Sequence, residues 1–186
     1  MKLRNKMVNR GLLALILVFI VLILALINRE NIEKIFYPTK YSQYVEKYSS
    51  EYGVDKYLVY SIIKTESKFH RRAISSKNAK GLMQITDITA DWGREELELG
   101  SIDIYDPETN INIGVWYLGK LQKEFKGNYK LIIAAYNGGS GNVRKWLKST
   151  DYSKDGRNLA NIPFAETSKY TEKVLDNYKR YKALYR

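Results

Sequence analysis

A single carboxylate, Glu66, ends the apolar stretch Leu58–Val59–Tyr60–Ser61–Ile62–Ile63–Lys64–Thr65 and is followed by Ser67, Lys68 and Phe69. Read as a helix, this stretch stacks Leu58, Ile62 and Glu66 at i, i+4 and i+8, with Val59 and Ile63 alongside. Seven residues turn a helix by roughly 700°, so Glu66 points almost the same way as Val59. The carboxyl is aimed along the apolar face, toward the interior. A buried carboxylate is costly unless it is paired or protonated. A place at the helix C-terminus, the negative end of the dipole, favours the proton further. A carboxyl kept neutral near neutral pH is what a general acid for glycosidic cleavage needs. A Glu that turns outward at a frayed helix end is the rival reading of this stretch alone.

The elements that must position Glu66 can be read along the chain. Tyr41–Tyr52 forms an amphipathic pattern with Tyr44, Val45 and Tyr48 on one side, stopped by Gly53. Asp55 can cap the Glu66 helix. Arg71–Lys80 has no helical period and is expected to be a loop with at most a short β excursion. Gly81–Leu82–Met83–Gln84–Ile85 follows, and Thr86 or Asp87 can cap a helix through Trp92. Asp106–Pro107 opens another helix, with Pro near its first position. That helix carries Ile111, Ile113, Val115, Trp116, Tyr117 and Leu118, which mark it as central. Gly114 in its interior costs roughly 1 kcal/mol against Ala, which predicts close packing of another backbone. Tyr129–Tyr136 is read as a buried helix ending at Asn137–Gly138–Gly139, and Asn142–Leu147 as a short one. Residues 150–163 are a polar loop. Glu166–Tyr185 is a last helix with Tyr170, Val174, Tyr178 and Tyr181 on one stripe. The chain reads as mainly α.

Composition narrows the chemistry. The chain has 186 residues, 45% hydrophobic and 27% charged, enough for one globular domain after any targeting segment. Cysteine is absent, which excludes disulfides, thiolate metal sites, cysteine nucleophiles and acylation at cysteine. The lone His70 cannot support a histidine-rich metal site or the usual serine triad, and it is expected on the surface. No metal and no organic cofactor is implied.

Gly11–Ile27 reads GLLALILVFIVLILALI, seventeen residues without a charge or a hydrogen-bonding side chain, preceded by Lys2, Arg4, Lys6 and Arg10. This is the short end of a membrane span. A cleaved signal peptide has a shorter apolar core and an A-x-A-like site, which Ala25–Leu26–Ile27–Asn28–Arg29–Glu30 lacks. The basic flank places the N-terminus in the cytoplasm and the remainder outside. The expected layout is a cytoplasmic basic segment (1–10), one transmembrane signal anchor (11–27), a linker (28–40) and an extracytoplasmic domain (41–186). Of the 31 basic residues five lie in 1–29, where there are no acids, so 30–186 carries 26 against 20 acidic residues, a net +6. A moderately basic domain in that location suits an anionic surface such as cell wall or lipid headgroups. The scattered lysines and the absence of nucleic-acid-binding signatures argue against nucleic acid.

Five blocks then come in order: Glu66–Ser67; Ser75; Gly81–Leu82–Met83–Gln84; Ala134–Ala135–Tyr136–Asn137–Gly138–Gly139; and Glu166–Thr167 with Tyr170. Together they resemble lytic transglycosylases of the soluble-transglycosylase (SLT) domain type, related in fold to goose-type lysozyme. The helix Asp106–Pro107…Asn110–Ile111…Gly114…Tyr117–Leu118 resembles that family as well. The likeness runs from about Tyr41 to the C-terminus.

The resemblance implies a lysozyme-like helical domain that binds peptidoglycan glycan strands. Glu66 matches the family's single catalytic acid/base. It would protonate the oxygen linking N-acetylmuramic acid to N-acetylglucosamine, then take the proton of the muramic acid 6-hydroxyl as a 1,6-anhydro ring closes. Most glycosidases need two carboxyl groups at a defined separation, whereas substrate-assisted ones dispense with one. Among the other matched positions, Ser75 could bond sugar or Glu66, with an ordinary loop serine as the rival. Gly81 would let backbone approach the site, and Met83 would lie against a sugar face or fill the core. Gln84 offers donor and acceptor to acetamide and hydroxyl groups. Tyr136–Asn137 would present a ring edge and an amide, or be a core Tyr with a turn-forming Asn. Tyr170 aligns with a family tyrosine that faces the catalytic group, and Glu166 takes a structural or peptide-contacting place.

Lys169 and Thr171 beside Tyr170, Asp87 after the Gln84 block, and Gly138 and Ser140 at the tyrosine turn depart from the family's frequent residues. They bear on substrate subsites. The expected activity is that of a membrane-anchored lytic transglycosylase, within a cell-envelope complex or alone. A hydrolytic muramidase of the same fold and a non-catalytic wall-binding scaffold are the alternatives.

Overall fold

The computed structural model describes residues 13, 15–21, 23, 24 and 26–186. The basic segment 1–10 lies outside the described residues, as do Gly11, Leu12, Ala14, Leu22 and Ala25 of the expected anchor. Among the described residues no helix is long and apolar enough to cross a membrane. Residues 15–21 are helical with exposed apolar side chains. The chain divides into two compact units, one up to Pro38 and one over Thr39–Arg186. The first contains α1 (Arg29–Phe36), which has no buried residue and ends at Tyr37. Pro38 follows, and the residue before a proline is disfavoured in helical conformation.

The second unit is built from α2 (Ser42–Tyr52), α3 (Lys56–Glu66), α4 (Asp87–Glu96), α5 (Pro107–Glu124), α6 (Tyr129–Gly138), α7 (Ser140–Lys148) and α8 (Ala165–Tyr185). Its helix ends follow local chemistry. Gly53 closes α2 at φ +66, and the Asp55 carboxylate accepts from Tyr57 N at 2.8 Å to open α3. Thr86 Oγ1 accepts from Thr89 N to start α4, and Asp106 does the same for Thr109 N ahead of Pro107. Helix α4 runs past Trp92 to Glu96, because Arg94 and the two glutamates sustain a solvated face beyond the last apolar residue.

α3 lies along α8, α2 packs on both α3 and α5, and α6 is flanked by α5, α7 and α8. The core is where these meet. Leu58 to Ile63 are all buried in α3, and Leu131 to Ala135 all in α6. In α5, Ile111, Ile113, Val115 and Leu118 are fully buried. The expected β excursion amounts, among the described residues, to isolated antiparallel bridges of Lys80 with Ile74 and with Ile85.

One packing expectation needs correction. Gly114 makes room for a side chain, not a backbone: a Cβ there would stand 2.8 Å from Met83 Cε and 3.1 Å from its Cβ. The close backbone approach occurs five residues on, where a Cβ on Gly119 would meet Tyr52 O at 3.3 Å.

Candidate active site

Glu66 is the last residue of α3, held where α3 meets α8. Ser67 caps the helix through its N–H to Ile63 O at 3.0 Å, and its hydroxyl reaches Leu82 O at 2.8 Å. Lys68 and Phe69 then take left-handed backbone at φ +51 and +66, which turns the chain away while Phe69 stays buried. Such conformations are costly for residues with a Cβ. The turn leaves the Glu66 carboxyl at the end of an apolar helix, half-buried.

Its environment sets its chemistry. Burial raises the Glu66 carboxyl from the ordinary carboxylate range to about 7. The Tyr170 hydroxyl opposes this by donating to Glu66 Oε1 at 2.6 Å, and the Lys173 charge opposes it more weakly. Tyr170 itself is pushed well above 10, by burial first and then by the Glu66 charge, so it remains a donor. Tyr136 is raised in the same way and also feels the Glu66 charge. The group is therefore a carboxyl able to give up and take back a proton near neutral pH, with one fixed donor on one oxygen.

The other matched residues surround this pair in different ways. The Tyr136 hydroxyl donates to Met83 O at 2.8 Å, pinning the 81–84 loop to the end of α6. Asn137 is exposed, and its Oδ1 accepts from Thr167 Oγ1 at 2.8 Å, tying α6 to the start of α8. Gln84 sits at φ +52 with its amide folded back, Nε2 donating to Gly81 O at 2.9 Å and Ala73 O at 3.2 Å. This leaves the side-chain oxygen to accept from a ligand. Glu166 is exposed and reaches Lys77 at 3.4 Å.

Two of the matched residues also serve the protein's own packing. Met83 is fully buried, its thioether against Gly114, so the side chain is core and only its carbonyl serves the site. Ser75 Oγ accepts from Lys77 N at 3.2 Å and Ala79 N at 3.1 Å and so organises its own loop; these two bonds do not use its hydroxyl proton. Gly81, at φ +79, gives room to Asn110, which the sequence places in the family-like helix without a role of its own. A Cβ there would stand 2.7 Å from Asn110 Cγ and 3.0 Å from Ile104 O. Asn110 is fully buried; its Oδ1 accepts from Met83 N at 2.8 Å, and its Nδ2 donates to Lys80 O at 3.0 Å and Ile104 O at 2.8 Å. The available signal was its place beside Ile111 in the helix that resembles the family. Among the described residues no group of three or more His, Cys, Asp or Glu could hold a metal ion.

A family model for the transglycosylase SLT domain matches residues 43–159. This chain belongs to the transglycosylase SLT domain family. The SLT chain is 36% identical over 155 residues to the soluble lytic murein transglycosylase of Escherichia coli strain K12, a match covering 78% of this chain and 24% of that protein. It is 32% identical over 178 residues to membrane-bound lytic murein transglycosylase C of Edwardsiella ictaluri, covering 78% and 47%. Its fold matches the X-ray structure of an inactive mutant of the lytic transglycosylase Slt from Pseudomonas aeruginosa, with a TM-score of 0.70 and 28% identity over 81% of this chain and 25% of that one. The 70 kDa soluble lytic transglycosylase of Escherichia coli matches with a TM-score of 0.68 and 31% identity, over 79% and 25%. The SLT chain thus spans about a quarter to a half of the length of these relatives.

Proposed function

We propose that this SLT chain is a membrane-anchored lytic transglycosylase that cuts the MurNAc–GlcNAc β-1,4 bond of peptidoglycan, with Glu66 as acid and then base. The observation that carries the reading is the half-buried Glu66 carboxyl, raised to about 7 by burial and bonded on one oxygen to Tyr170 at 2.6 Å. The protonated carboxyl gives its proton to the glycosidic oxygen as that oxygen leaves the muramic acid C1. The carboxylate then accepts the proton of the C6 hydroxyl, whose oxygen bonds C1 to close the anhydro ring. Bonds and protons balance without water, and no cofactor enters. Tyr170 steadies the carboxylate between the two proton transfers. Ser75, Gly81, Gln84, Tyr136 and Asn137 shape the substrate's surroundings, and Glu166 stands where a stem peptide could be touched.

Anchoring rests on the uncharged run 11–27 and its basic flank, and the exposed apolar helix over 15–21 suits a lipid environment. On this reading the N-terminus is cytoplasmic, 28–40 is the linker, and residues 41–186 act outside the membrane, alone or in an envelope complex. Alkaline carbonate extraction of cell membranes tests it: an anchored chain stays with the bilayer, and release into the supernatant removes the anchor from the proposal.

The activity is tested by mass spectrometry of fragments released from purified peptidoglycan by the full chain in detergent, with Glu66→Gln as control. Anhydro-muramic ends that vanish in the control are expected. Reducing muramic ends would instead make the chain a hydrolytic muramidase. Binding without release would make it a wall scaffold.

A further inference from the structure

Beyond residue 36, the large apolar side chains most open to solvent are Ile74, Ile88, Trp92 and Phe164. Phe164 has its ring partnered by Trp146 at 5.0 Å. Ile88 and Trp92, 84% and 42% exposed, sit at i and i+4 on α4 and share one face of it. Together the exposed Ile88 and the open part of the Trp92 ring form a small apolar patch on this face.

Trp92 is also held in place. Trp116 meets it edge-on at 4.8 Å, Tyr117 does so at 6.1 Å, and Lys120 Nζ lies 5.6 Å from its ring centre. Lys120 is itself fixed by Glu96 at 2.7 Å. Tyr117 continues to Tyr136 at 5.7 Å, and Tyr136 is the ring that feels the Glu66 charge and holds the 81–84 loop. A series of partly exposed rings therefore steps from the Glu66 site to the surface of α4. A pyranose has an apolar face of C–H groups that stacks on an aromatic ring, and a ring fixed beforehand loses little freedom when it binds.

We propose that Trp92 and Ile88 form a distal sugar-stacking subsite for the glycan strand whose bond lies at Glu66. The inference rests on the reading of Glu66 given above, and the two can fail separately. Trp92 takes a pyranose several units along the strand, and Ile88 extends the apolar floor toward the next. The subsite favours long strands over short fragments and contributes binding, not chemistry.

The test is binding of peptide-free peptidoglycan glycan strands to the full chain in detergent carrying Glu66→Gln, which holds strands without cutting them. Adding Trp92→Ala is expected to weaken the dissociation constant roughly tenfold, the size of one lost aromatic contact. Trp92→Phe should recover most of the affinity, and Ile88→Asn, a change on the surface alone, should weaken binding a few-fold. The loss should grow with strand length. Equal affinity for the Trp92→Ala and parent chains, or loss in Phe as great as in Ala with unchanged circular dichroism, overturns the subsite. So does absence of strand binding by the parent. Failure of the unmutated chain to release fragments, with Trp92-dependent binding intact, overturns the catalytic reading and leaves the subsite standing.

Discussion

The Tyr170 hydroxyl donates to Glu66 Oε1 at 2.6 Å across 104 residues of chain. The bond joins the last residue of α3 to the first turns of α8, the helix against which α3 packs. It acts on Glu66 against burial: burial raises the carboxyl, and the hydroxyl lowers it. Removing the hydroxyl with Tyr170→Phe is therefore expected to lift Glu66 further above about 7. The rate limb that needs the protonated acid, which falls as pH rises through that value, should move to higher pH. The maximal rate should fall as well, because the carboxylate formed between the proton transfers loses its donor. The pH profile of kcat/KM for both chains checks this; a limb that stays in place would mean that Tyr170 does not tune Glu66.

Glu66 also makes a stability prediction whose sign can be worked out. Its folded-state value of about 7 lies above the ordinary 4.5, so the folded chain holds this proton more tightly than the unfolded one. Below 4.5 the carboxyl is neutral in both states, and its burial carries no ionisation cost. Between 4.5 and about 7 the unfolded state ionises first and folding stability falls; above that window the loss is complete. The loss is about 3 kcal/mol at most, and less to the extent that solvent reaches the carboxyl. Glu66→Gln removes the titration. Its melting temperature should exceed that of the parent at pH 8 and approach it at pH 4. A constant difference across that range would place the carboxyl in water.

Asn110 should behave as a structural hub for the 81–84 loop. Asn110→Asp replaces an amino group facing the carbonyls of Lys80 and Ile104, at 3.0 and 2.8 Å, by an oxygen. A carboxylate there faces two buried acceptors, and a carboxyl that takes up a proton to avoid this satisfies only one of them. The expected destabilisation is roughly 3 kcal/mol or more. Hydrogen exchange should quicken at Met83 N, which Asn110 Oδ1 holds at 2.8 Å. Urea unfolding and exchange at that amide measure the two effects, and an unchanged Met83 amide would exclude the hub.

Helices α2 to α5 were legible because each announces an end in a few adjacent residues, whereas α1 forms inside the stretch read as a linker. Gly53, Asp55, Thr86, Asp106 and Pro107 each satisfy or terminate backbone groups within four positions. The direction of Glu66 along α3 followed from helical period alone. Contacts between distant elements were not legible in this way. Neither spacing nor composition sets Tyr170 against Glu66; the family likeness alone pointed there. That Met83 turns inward while its carbonyl serves Tyr136 depends on the gap above Gly114, which only the packed helices define. The role of Asn110 stayed hidden for the same reason, since its three partners lie in two loops that the sequence leaves without period.

The Met83–Gly114 contact yields the last prediction. A methyl group at Gly114 would come within 2.8 Å of Met83 Cε and 3.1 Å of its Cβ, inside a core where Met83 has no exposed surface. Gly114→Ala gains roughly 1 kcal/mol of helix propensity, but overpacking costs about 1–3 kcal/mol. The net change should be destabilising. Met83→Ala alone should cost about 2–5 kcal/mol through the cavity it leaves. The pair should cost clearly less than the sum, because each change relieves what the other strains. Urea midpoints of the two single variants and the double variant measure the coupling. Strict additivity would mean that Met83 can swing aside freely, and the 81–84 loop would then lack the rigid footing that holds its carbonyl at 2.8 Å from the Tyr136 hydroxyl.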